Sequence, residues 1–143
     1  MTQKSPKNSL ALVLTQLGYA LENCQVSLLG NGLINSTYLV KANDKSFVLQ
    51  KLNQQVFPSP EQVINNADLI SRHLQAKCAV DEYALMPIGQ LRSQDNNNHV
   101  NVQGQYWRGL DYIENCYTLE SIANIEQASD VASAFAQFTN ALS

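Results

Sequence analysis

The segment best suited to chemistry is Gly30-Asn31-Gly32-Leu33-Ile34-Asn35-Ser36. Glycines let the backbone approach a ligand closely, and successive backbone N–H groups can converge on anionic oxygens. Phosphate binding is therefore the chemistry this loop offers. It is not a P-loop, because no Gly-Lys-Ser/Thr follows, and it is not a dinucleotide fingerprint, because the residues after it favour a strand rather than a helix. Further along, Gln50-Lys51 places an amide beside a cation. Lys51 is the residue type that meets α- and β-phosphates, and Glu61, Asn65, Asn66 and Asp68 follow on the next helical stretch. The three cysteines, Cys24, Cys78 and Cys116, are widely separated, with no Cys-x-x-Cys. Small buried or half-buried thiols are expected there rather than a zinc knuckle or a redox pair.

The elements that must position these groups are legible in the periodicity. Leu10, Val13, Leu14, Leu17 and Leu21 share one face of a helix expected from Ser9 to Ala20, with Gly18 at its fraying end. Three strands follow, at Gln25–Leu29, Ser36–Ala42 and Ser46–Leu52, separated by the glycine segment and by Asn43-Asp44-Lys45. Their closeness in sequence makes an antiparallel meander the economical topology. Ser59-Pro60-Glu61-Gln62 starts a helix. Val63, Ala67, Ile70 and Leu74 form its expected apolar stripe, and Asp68 and Arg72 lie on an expected exposed face. Strand character returns at Tyr83–Leu91, Val100–Val102 and Tyr106–Ile113, with a solvated loop at Ser93–His99. A final amphipathic helix, capped by Asn124 with Gln127, carries Ile125, Ala128, Val131, Ala132, Phe135, Phe138 and Leu142. The fold class is α+β: a mostly antiparallel sheet of about five strands, one inserted helix, and a leading and a trailing helix.

Composition narrows the function classes. The chain has 143 residues, 45% of them hydrophobic, enough for one substantial core. Nine Lys and Arg residues are scattered and the net charge is −3, so the basic footprint of a nucleic-acid binder is missing. No apolar run approaches the roughly 20 residues that span a bilayer. Leu10–Leu14 is too short for a secretory core. No membrane partner and a cytoplasmic location are the expectations.

A glycine hairpin between two strands, a cation on the third strand and an acid on the next helix form the arrangement by which kinases hold nucleotide phosphates. Leu29-Gly30-Asn31-Gly32-Leu33-Ile34-Asn35-Ser36-Thr37-Tyr38-Leu39-Val40 and Phe47-Val48-Leu49-Gln50-Lys51-Leu52-Asn53 carry a resemblance to a known family. So do Val56-Phe57-x-x-Pro60, Asn66…His73-Leu74, Tyr106-Trp107-Arg108…Asp111-Tyr112-Ile113-Glu114 and Ala134-Phe135…Phe138. Together they resemble the N-terminal lobe of the aminoglycoside phosphotransferase and choline kinase-like superfamily, within it the N-acetylhexosamine 1-kinase-like branch. The resemblance spans about Val26–Leu142.

That resemblance implies an ATP-binding lobe. Gly30, Asn31, Gly32, Asn35 and Ser36 would cover the phosphates, Val48 would pack on adenine, and Asp111, Tyr112 and Ile113 would form the hinge that meets the adenine edge. Strand alternation puts Gln50 in the slot the family gives to lysine. Either Gln50 meets phosphate as a neutral donor, or a register shift brings Lys51 inward. The implied organisation is a helical segment at 1–22, the nucleotide-binding lobe at 23–114, and a linker with the first helix of a second lobe at 115–143. The implied acceptor is a sugar, amino sugar or other small hydroxyl compound. His73 and His99 are followed by Leu74-Gln75 and Val100-Asn101, so neither begins the His-x-Asp loop of the family, and there is no Asp-Phe-Gly. The chain is therefore expected to be truncated before the catalytic loop and the magnesium-binding carboxylates, with weak ATP binding and no turnover by itself. The alternative is a non-catalytic α+β interaction module that associates through its last helix.

Overall fold

A computed structural model describes residues 6–30, 32–43 and 45–143. Helix α1 (Pro6–Gln16) opens the fold and ends before the Ala20 that its pattern suggests. Gly18, at φ +91°, stops it: its N–H donates to the Thr15 carbonyl at 3.0 Å and the Tyr19 N–H to the Leu14 carbonyl at 2.9 Å. These are the paired bonds of a Schellman cap, whose left-handed residue is normally glycine. A 3-10 turn, Leu21–Asn23, then leads into the sheet.

The strands are β1 (Gln25–Leu28), β2 (Ser36–Lys41), β3 (Ser46–Lys51), β4 (Val100–Val102) and β5 (Gln105–Asp111). Helix α2 (Pro60–Cys78) lies between β3 and β4 in the chain, and helix α3 (Ile125–Leu142) comes last. The spatial order is β1-β2-β3-β5-β4, with every neighbouring pair antiparallel. The chain is thus α+β with a five-stranded antiparallel sheet, as its sequence pattern indicates.

Alternation divides the sheet into two faces. One face places Val40, Phe47, Leu49, Val100, Val102 and Trp107 in a single core with Val13, Leu14 and Leu17 of α1. Leu10, Leu21, Val26 and Tyr38 pack around its edge, so the leucine stripe of α1 buries as its spacing implies.

Two expectations fail. Tyr83–Leu91 is not a strand; only Gln90 makes a bridge, to Leu110. Pro87 lacks an N–H to donate and Gly89 favours no extended conformation, so in place of a ladder the segment meets β5 at a few points, among them Leu91 N–H to the Gly109 carbonyl and Asp111 N–H to the Gly89 carbonyl, both 2.9 Å. In α2 the buried positions are Pro60, Ile64, Asp68, Ser71 and Leu74, a stripe rotated from Val63, Ala67, Ile70 and Leu74. Asp68, expected on an exposed face, is only 4% exposed. Polar tethers account for the rotation. Arg92 Nη2 donates to both Asp68 carboxylate oxygens at 2.9 and 2.8 Å, Gln90 Nε2 to the Ile64 carbonyl at 3.1 Å, and Asn98 Nδ2 to Asn65 Oδ1 at 2.9 Å.

The chain forms two compact units. The first runs to Asp68 and includes Ile88–Tyr112; it holds α1, the sheet and the start of α2. The second comprises Leu69–Pro87 and Ile113–Ser143. Within it, His73 Nε2 lies 2.8 Å from the Ala141 carbonyl, which can only accept, so that nitrogen carries the proton. Asn124 Oδ1 accepts from the Gln127 N–H at 2.9 Å and Gln127 Oε1 from the Ala123 N–H at 2.8 Å, a reciprocal cap on α3. α3 buries Ala141, while Ile125, Val131, Phe135 and Leu142 are exposed. Among the described residues no helix is long and apolar enough to cross a membrane.

Candidate functional site

The glycine loop joins β1 to β2. Gly30 sits at φ +69°, a conformation that disfavours any residue with a Cβ. A Cβ at Gly32 would lie 2.5 Å from the Asn35 carbonyl oxygen, so the turn closes only because that atom is absent. The same Cβ would lie 3.9 Å from Thr37 Oγ1, which sets the loop beside the start of β2. Asn35 Oδ1 accepts from the Asn53 N–H at 2.9 Å and ties the loop to the chain leaving β3. Leu33, at the tip, is 98% exposed. The role expected of Asn31 falls outside the described residues.

β3 pairs with β2 and β5 residue for residue, with no bulge between Ser46 and Lys51. Gln50 and Lys51 therefore point to opposite faces. Lys51 lies on the α1 side, its Nζ 5.8 Å from the centre of the Trp107 ring. It also lines a polar hollow of about 320 Å³ together with Ile34, Ser36, Asn53 and Gln105. Ser36 and Lys51 are direct cross-strand partners, so the structure brings these two together and separates them from Gln50.

The face opposite α1 has a different character. Leu39, Val48 and Leu110 are register partners across β2, β3 and β5 and form an apolar row. Two residues along the strands, Thr37, Gln50 and Arg108 form a parallel polar row. Gln50 Nε2 donates to Thr37 Oγ1 at 3.2 Å. Gln50 Oε1 accepts from Arg108 Nε at 3.0 Å and Nη2 at 2.8 Å. A guanidinium only donates, which fixes the amide orientation. Burial lowers the pKa of the Arg108 guanidinium from its usual value, because desolvation disfavours the charged form. The sign for stability follows: a base with a lowered folded-state pKa costs stability at every pH where it stays charged.

Of the α2 residues that were candidates to partner the third-strand cation, Asp68 holds Arg92 and Asn65 meets Asn98, as described above. At the end of β5, Asp111 Oδ2 accepts from the Gly89 N–H at 3.0 Å, and its Oδ1 lies 3.5 Å from Lys45 Nζ. Both ends of that ion pair are nearly half exposed, so it contributes little. Of the residues expected to form a hinge, Asp111 and Tyr112 belong to the first unit and Ile113 to the second. All three are half-buried.

Sequence reasoning gave Arg108 no role. The signal was available in the pairing parity: once β5 is placed antiparallel to β3, Arg108 falls opposite Gln50. Cys24 and Cys78 are half-buried and in no disulfide, whereas Cys116 is exposed, contrary to expectation, with Sγ 2.9 Å from the Ile113 carbonyl. Among the described residues no group of three or more His, Cys, Asp or Glu side chains could hold a metal ion. No protein-family model matches the chain.

Proposed function

We propose that this chain is the ATP-binding N-terminal part of a small-molecule phosphotransferase with a sugar or amino-sugar acceptor, and that the catalytic loop and magnesium-holding carboxylates lie outside it. The observation that carries this reading is the two-row face of the sheet. A nucleotide has a flat apolar base and an anionic tail. The Leu39–Val48–Leu110 row offers a surface for the base next to Asp111 and Tyr112. The Thr37–Gln50–Arg108 row offers donors to the tail beside Gly32. Two residues of strand separate the rows by about 7 Å, a base-to-phosphate scale of distance. Lys51 has no part in this arrangement.

Titrating Mg²⁺–ATP into isotope-labelled chain tests the proposal. The expected result is millimolar-range binding, with shifts confined to Gly30, Gly32, Thr37, Val48, Gln50, Arg108 and Tyr112. Shifts scattered over the α1 face, or none at saturating nucleotide, would remove the reading.

A second reading, an interaction module with no catalytic partner, draws on the exposed apolar residues of α3: Phe135 is 68% exposed. Large exposed aromatic groups favour association. It requires a concentration-dependent oligomer in size-exclusion chromatography that dissociates on Phe135→Ser; a monomer at all concentrations would count against it.

A further inference from the structure

We infer that Arg108, carried by β5 and held in place by Gln50, is the cation that receives the polyphosphate oxygens of the nucleotide, in place of a lysine on β3. This rests on the reading of the two-row face as the nucleotide site and names the residue that gives that site its charge.

The geometry separates the two available cations. Lys51 faces Trp107 and α1, whereas Arg108 is on the face that carries Val48 and lies in hydrogen-bonded continuity with Thr37 beside the glycine loop. Gln50 occupies only Nε–H and one Nη2 hydrogen of Arg108. The two Nη1 hydrogens and the second on Nη2 are left to meet phosphate oxygens, and the planar guanidinium suits that anion bidentately.

The chemical identity of the holder matters as much as its position. Among the described residues no carboxylate pairs with Arg108, although Arg92 has Asp68 and Lys45 has Asp111. A partly buried cation normally acquires a carboxylate. The Gln50 amide fixes the guanidinium without neutralising it, so its charge remains for a ligand. Desolvation of Arg108 acts in the same direction, since a bound anion would relieve it. Thr37 completes the row: its oxygen accepts from Gln50, which leaves its hydroxyl hydrogen free to donate toward the loop. Gln50 is thus a positioning residue, acting through Arg108.

The test uses the whole chain and two separate probes, inorganic tripolyphosphate and adenosine, followed by nuclear magnetic resonance. In the parent chain, tripolyphosphate should shift the Arg108 Nε–H signal and adenosine should shift Val48 and Leu110. Arg108→Met should weaken tripolyphosphate by at least about tenfold, the scale of a lost charged hydrogen bond, and leave adenosine unchanged. Gln50→Glu should give a similar loss while the protein melts at the same or a higher temperature, because a carboxylate would neutralise Arg108. Arg108→Lys should recover part of the tripolyphosphate affinity. Equal tripolyphosphate affinity in the parent, Arg108→Met and Gln50→Glu, with adenosine still bound, would overturn the inference and leave the nucleotide site standing. A loss on Lys51→Met instead would overturn it in favour of the opposite face. No response of the parent to either probe would remove both the site and the inference. Should Arg108→Met unfold, Gln50→Glu decides the matter alone.

Discussion

Replacing Phe47 with alanine is expected to lower the unfolding free energy by about 3–5 kcal/mol, the usual range for a fully buried aromatic ring. Phe47 has no exposed surface, its ring centre lies 4.9 Å from that of Tyr19, and it sits on the central strand of the core shared with α1. A domain of this size is stable by only about 5–15 kcal/mol, so the loss removes about a fifth of the total or more. Urea unfolding followed by the fluorescence of Trp107, the single tryptophan, measures it. Val48→Ala, one residue along but on the half-buried face, should cost only about 1 kcal/mol. Equal costs at the two positions would contradict the assignment of faces. The functional consequence is indirect: Phe47 and Leu49 anchor β3 on α1, and that anchoring makes Val48 and Gln50 face the other way.

The second large effect concerns the buried carboxylate. Arg92→Met should destabilise by about 3 kcal/mol, at the lower end for removing one partner of a buried pair, because the Arg92 side chain is itself 38% exposed and the Asp68 side chain only 6%. The cost arises from leaving the Asp68 charge in the interior without the guanidinium that meets both its oxygens. Adding Asp68→Asn to Arg92→Met should therefore recover part of the loss, since a neutral amide tolerates the interior better than a carboxylate. Chemical unfolding of the two single variants and the double variant gives the coupling directly. Strict additivity would show that the pair makes no net contribution.

The two arginines make opposite use of the same physics. Arg92 is matched by a carboxylate and ties α2 to the segment before β4. Arg108 is matched by an amide and keeps its charge. Nothing in the residue type distinguishes them; only the partner does, and the partner is set by strand register in one case and by the segment before β4 meeting α2 in the other.

Local chemistry explains how much could be read in advance. Gly18 and Gly32 act within a few residues of themselves, through a left-handed cap and a carbonyl that admits no Cβ, so the end of α1 and the turn before β2 were visible as turn signals. The Asn124–Gln127 cap is equally local. The alternation of Phe47, Val48, Leu49, Gln50 and Lys51 already implied that Gln50 and Lys51 oppose each other. Tyr83–Leu91 misled because β-forming residues declare a preference and not a partner; with Pro87 and Gly89 among them, the segment touches β5 at a few bonds and forms no ladder. The α2 stripe misled for a related reason. An apolar periodicity assumes that apolar residues take the buried positions, whereas here a carboxylate took one because an arginine from a distant segment came to meet it.

The amino-acid sequence by itself determined the α+β pattern, the glycine loop and the alternation of β3, all of which arise from interactions spanning a few residues. It could not say which cation stands beside Gln50. The separation of 58 positions between Gln50 and Arg108 is closed only when β5 pairs with β3. That pairing, fixed by burial of Phe47, Leu49 and Trp107 on the face toward α1, is what sets Thr37, Gln50 and Arg108 in one hydrogen-bonded row on the other face.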